Sequence, residues 1–194
     1  MTATGTNPTI VVVPGLRDHV EDHWQTQLVG EFDRVRTVAP LVHYKISLTE
    51  HVAALDDVLR SVEGPVHLVA HSAGVMTAVH WAQNATRNIS GAFLAAPADL
   101  DTPLPEGYPT IDELRRAGWT PVPRRELPFP SIVGASTNDP LATFGAVQAR
   151  GPQAGSKPRS SGTTTADQPM STITSVETAD SARGRPPTSS RALT

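Results

Sequence analysis

Residues 66–76 read VHLVAHSAGVM, and no other stretch restricts the fold of this chain as strongly. A short apolar run leads to a serine set among small residues, and a helix-forming segment follows. Strand, tight turn and helix is the setting in which a G-x-S-x-G nucleophile elbow has a physical meaning. The turn is so sharp that the positions two residues before and after the serine must be small. Larger side chains there would collide with the adjoining backbone. Those positions are Ala70 and Gly74, so the pattern around Ser72 is A-x-S-x-G. The competing reading is a serine that merely starts a helix after a strand.

The segments around this stretch alternate in period. Thr9 to Val13 is a β-branched run closed by Pro14-Gly15, apolar on both faces as a buried parallel strand requires. Trp24, Leu28 and Phe32 recur at helical spacing, which predicts an amphipathic helix near 22–33 with Asp22 as its cap. Arg36 to Pro40 reads as a short strand. Ser47 and Glu50 form a capping-box pattern ahead of an apolar stripe of Val52, Leu55, Leu59 and Val62, and Gly64-Pro65 ends that helix. The helix after Ser72 extends to about Asn84. Further strands are predicted at 91–95 and 131–135, with a short helix at 111–117 between them. A last helix opens at Asp139-Pro140 and runs through Leu141, Phe144 and Val147.

Strands alternating with helices predict a three-layer α/β architecture: a mostly parallel sheet covered by helices on both faces. Ligands in such sheets bind beyond the carboxyl ends of the strands. Gly15, Ser72, Asp99 and Asp139 each follow a strand, so the connectivity alone gathers them at one edge. The 194 residues divide into a domain over 1–150 and a segment over 151–194 dominated by Ser, Thr, Pro and Gly. That segment holds too few apolar side chains to offset the entropy of ordering, and it is expected to be disordered.

Composition removes several function classes. A net charge of −3 supplies no basic field for nucleic acid. No apolar run approaches the roughly 20 residues that span a bilayer. The first residues lack the basic and hydrophobic regions of a signal peptide. The chain has no cysteine, which excludes thiolate chemistry and fits a reducing compartment. A cytoplasmic protein acting on a small molecule, with neither metal nor cofactor, is the expectation.

Serine needs an adjacent base to act as a nucleophile. An acyl-transfer site also needs a carboxylate to orient that base and two amides for the oxyanion. Ala73, directly after Ser72, would supply one amide. The loop after the first strand, at Gly15 or Leu16, would supply the other. Asp139 falls where the acid of a Ser–acid–His order belongs. An aspartate before proline is equally a good helix cap, and the two roles can coexist. The order then demands a histidine after Asp139. The seven histidines, at 19, 23, 43, 51, 67, 71 and 80, all precede it. His71 adjoins Ser72, but adjacency on a sharp turn aims it away from the hydroxyl. His67 is expected in the interior or between helices, and His51 and His80 at the surface or its boundary. His19 and His23 share an edge with Ser72 and are the candidates for a substitute base.

Several separated motifs together resemble the RBBP9/YdeN family of small serine hydrolases. They are Pro14-Gly15-Leu16, Glu21-Asp22-His23-Trp24-Gln25, Ala70-His71-Ser72-Ala73-Gly74, Phe93-Leu94-Ala95-Ala96-Pro97-Ala98, Leu127-Pro128-Phe129-Pro130-Ser131 and Ala135-Ser136-Thr137-Asn138-Asp139-Pro140. The resemblance covers roughly residues 9–150. It implies an α/β-hydrolase fold without a large lid, Ser72 as nucleophile, Asp139 as acid, and hydrolysis of a small ester or amide through an acyl-enzyme. The family continues with a last strand and a Gly-His motif that supplies the base. This chain has Gly-Pro-Gln-Ala-Gly-Ser there, so the resemblance implies a missing closing strand and impaired turnover, and the alternative is an inactive binding protein on the same scaffold.

Overall fold

The computed structural model describes residues 7–16, 23–43, 45–135, 139, 141–142, 144–150 and 153–155. The elements in chain order are β1 (Thr9–Val13), α1 (Trp24–Glu31), β2 (Val35–Thr37), α2 (Leu48–Ser61), β3 (Val66–His71), α3 (Ala73–Trp81), β4 (Gly91–Ala95), α4 (Ile111–Arg116), β5 (Glu126–Gly134), α5 (Phe144–Arg150) and β6 (Gln153–Gly155). A 3-10 turn, Ala82–Asn84, extends α3. The strands form one sheet in the order β2-β1-β3-β4-β5-β6, and every pair is parallel.

This order has one reversal. The chain leaves β1 for β2 on one side, then crosses back to β3 on the other and continues outward. The reversal point lies between β1 and β3, and in such sheets the crevice above it is where ligands bind. Gly15 leaves β1 and Ser72 leaves β3, so the expected edge is also the switch point.

One face of the sheet carries the main core. Val66, Leu68 and Ala70 of β3 are fully buried there with Leu55 and Leu59 of α2 and Val75 and Val79 of α3. Truncating either buried leucine would cost about 2–5 kcal/mol. Ser47 caps α2 by accepting from the Glu50 amide at 3.4 Å. The reciprocal capping box is found instead at α4, where Thr110 and Glu113 cap each other. On the opposite face α1 packs across the carboxyl ends of the strands, with Trp24 edge-on to His71 and Phe93.

Five expectations change here. His67 is exposed rather than interior. It lies at the amino end of β3 on the α1 face, whereas α1 covers only the carboxyl end. The buried residue of α1 is Gln25, not the Trp24–Leu28–Phe32 stripe; Phe32 falls at the C-cap and is 51% exposed. The described cap of α1 is His23, while Asp22 lies outside the described residues. The sheet does gain a closing strand, since the three-residue β6 pairs with β5. Main-chain pairing at an open edge needs no apolar side chain, so composition could not reveal it. β5 likewise starts earlier than expected, because Pro128 and Pro130 lie in the part that faces β6, an edge where proline is tolerated. Residues 156–194, His19 and Pro140 are outside the described set. Among the described residues, no helix is long and apolar enough to cross a membrane.

Gly74 fixes how α3 sits on the sheet. A Cβ there would overlap the carbonyl oxygens of Val13 and Pro14, which are backbone and cannot step aside. Gly74→Ala is therefore expected to cost about 1–3 kcal/mol through overpacking. Gly30→Ala, on α1 with open space around it, should be neutral or mildly stabilising. Thermal denaturation of the two variants checks this; equal midpoints would contradict it.

Candidate active site

The β3–α3 turn is strained at one residue. Ser72 adopts φ 53° and ψ −120°, a region that residues with a Cβ seldom occupy. Its amide donates to Ala95 O at 3.0 Å, which ties the turn to the end of β4. Its side chain makes no capping bond to the first turn of α3. A serine that merely capped this helix would have extended backbone and an engaged hydroxyl, so that simpler reading does not describe Ser72. The neighbouring strand ends on a second residue of this kind, Ala96 at φ 47°. Strain of order 1–3 kcal/mol per residue is retained only where the surroundings over-determine it. Here both strained residues stand at the carboxyl ends of adjacent strands.

Gly15 brings bare backbone to the same point. A Cβ built on it would lie 3.4 Å from Ser72 Cβ. Gly15, Leu16, His23, Gln25, His71, Ser72 and Ala73 line part of a cavity of ≈ 310 Å³. The rest of its lining is Ala98, Leu100, Leu104, Tyr108, Leu114, Trp119 and Leu141. The cavity thus joins Ser72 and Gly15 to a largely apolar, uncharged lining.

Asp139 stands half-buried after β5, at the same edge of the sheet. Its Oδ1 accepts from the Leu141 amide at 2.8 Å, the capping-type bond that its sequence context predicts. Leu141 lines the cavity, whereas Asp139 is not among the lining residues. The helix that follows starts at Phe144, later than expected, since the Asp139 carboxylate engages the Leu141 amide ahead of it.

Two further residues belong to the site without a role assigned from sequence. Gln25 is 5% exposed, and its Nε2 donates to Val13 O at 3.2 Å and to Val69 O at 3.1 Å. It bridges the ends of β1 and β3 at the switch point; the sequence places it in the Glu21–Gln25 motif without indicating this role. His71 is a lining residue of the cavity, and its ring lies 4.6 Å from the ring of His23. Burial, reinforced by the facing His23, pushes the His71 pKa down to about 4, and burial lowers that of His23 as well. Both rings are therefore neutral at pH 7. Among the described residues no three His, Asp or Glu side chains gather as a metal site would require.

The sheet order, the helices on its two faces and the strained serine turn together define an α/β-hydrolase fold. A profile of the serine hydrolase family matches residues 10–164, and the chain belongs to that family. Among solved structures it is similar to a protein described as a YdeN-like hydrolase from Pectobacterium atrosepticum. The two share 30% identity at a TM-score of 0.60, covering 72% of this chain and 69% of that one. It also shares its fold with the mouse alpha/beta hydrolase domain-containing protein 10, at 16% identity and a TM-score of 0.55, with 75% of each chain covered. A search of curated protein sequences gave no match.

The depressed His71 pKa makes a pH prediction. As pH falls below 6.5 the unfolded chain binds a proton at this position before the folded chain does, so stability is lost. The loss grows between about 6.5 and about 4 and then levels off. His71→Gln should flatten that part of the stability–pH curve, and an NMR titration should show His71 still neutral at pH 5. A midpoint near 6.5 for His71 would contradict the burial argument.

Proposed function

We propose that the chain is a serine hydrolase in which Ser72 attacks the carbonyl of a small ester or amide with an uncharged, apolar acyl group. The observation that carries this reading is the conformation of Ser72: a strained turn, a hydroxyl not engaged in capping, and the bare backbone of Gly15 alongside. The apolar lining of the cavity supports the acyl preference, since an uncompensated charge there would lose its hydration.

In this reading the Ser72 oxygen bonds to the carbonyl carbon and the carbonyl oxygen becomes an oxyanion. The Ala73 amide and the backbone at Gly15 or Leu16 stabilise that charge; an oxyanion-hole donor is typically worth about 10²–10³ in rate. Collapse of the intermediate expels the alcohol or amine and leaves an acyl-serine, which water then hydrolyses. Asp139 is the proposed acid of the triad, and no histidine follows it in the chain. With no triad histidine the serine proton passes to solvent. Removing a triad member leaves about 10³–10⁴-fold catalysis over water, so turnover is slow. The setting proposed is cytoplasmic, with no nucleic-acid partner.

A fluorophosphonate probe tests the nucleophile. Covalent labelling is expected in the parent chain and should vanish in Ser72→Ala. With p-nitrophenyl esters, octanoate should be cleaved in preference to acetate, at a kcat on the order of 10⁻³ s⁻¹ or below, against the median near 10 s⁻¹ for enzymes. Labelling that persists in Ser72→Ala would contradict the assignment. Absence of labelling in the parent chain would favour a binding protein on the hydrolase scaffold.

A further inference from the structure

We propose that His23 is a catalytic hydrogen-bond donor, placing its Nε2–H on the substrate atom that gains charge when Ser72 attacks. The inference rests on the reading of Ser72 as nucleophile and adds a residue to that site. It also reverses the role expected of His23 as a substitute base.

The protonation pattern of the ring is set by the helix it caps. His23 occupies the N-cap of α1 in extended backbone, φ −78° and ψ 140°, and its Nδ1 accepts from the Gln25 amide at 3.3 Å. A ring nitrogen that accepts a hydrogen bond carries no proton, so the neutral ring holds its proton on Nε2. In that state Nε2 cannot take the hydroxyl proton from Ser72. It can only donate.

The ring is also in the right place. It lines the ≈ 310 Å³ cavity together with Gly15 and Ser72. His23 also lines a second cavity of ≈ 330 Å³ with Val12, Pro14 and Val38, so it borders open space rather than being enclosed in the core. Gln25, next along the wall, has its amide nitrogen committed to Val13 O and Val69 O. Burial keeps His23 neutral, so it offers a donor without adding a charge to an apolar cavity.

Long-range ¹H–¹⁵N NMR on the full chain tests the tautomer. The expected spectrum shows a bare Nδ1 and a protonated Nε2 for His23, assigned by its disappearance in His23→Asn. A proton on Nδ1 would overturn the proposal. Fluorophosphonate labelling rates then test the function. His23→Asn and His23→Thr each keep a capping oxygen, but neither side chain reaches the Nε2 position. Both should label at least about tenfold more slowly at an unchanged melting temperature. A labelling rate equal to the parent's in either variant would refute the donor role. If Ser72→Ala labels as fast as the parent, the nucleophile itself is wrong and the donor role falls with it. Ser72-dependent labelling that is indifferent to His23 rejects the donor alone.

Discussion

The close approach of α3 to the end of β1 is the constraint on which the other features of the site depend. It requires a residue without a Cβ at position 74, since any side chain there would overlap the Val13 and Pro14 carbonyls. With that contact made, β3 must turn into α3 within one residue, and Ser72 takes the strained conformation. The same contact sets the loop leaving β1 beside the serine, so Gly15 and Ser72 meet at the crevice where the strand order reverses. Gln25 then ties the two strand ends together through two main-chain carbonyls. Geometry that would otherwise depend on loops is thereby carried by two strands and a helix end.

The features legible in the sequence are those with a local, repeated or steric signature. The β-branched run of β1, the stripe of α2 and the small residues around Ser72 each leave such a mark, and the structure agrees with them. The features that escape it depend on partners distant in sequence. Gln25 is buried because two carbonyls from different strands receive its amide; nothing near position 25 encodes either. His67 alternates like a buried residue, but its exposure is decided by how little of that face α1 covers. β6 is held by main-chain pairing, which leaves no pattern in side chains.

Histidine is the hardest residue type to place, for a related reason. The chain order points to a base after Asp139 and the composition supplies none, which makes His23 look like a replacement. The structure gives His23 a different constraint: it caps α1, and a capping nitrogen has to be bare. A bond to one backbone amide thus determines what the opposite edge of the ring can do. Asp139 shows the same coupling between folding and chemistry, since its carboxylate caps the turn at Leu141 whether or not it also orients a base.

The central claim is that the hydroxyl of Ser72 is the group that meets a substrate carbonyl. Its most direct measurement is peptide mapping by mass spectrometry after the chain has been mixed with an apolar activated ester such as p-nitrophenyl octanoate. The expected result is a single acyl group on the peptide that contains Ser72. An acyl group carried elsewhere, or none at all while the ester is consumed, would contradict it.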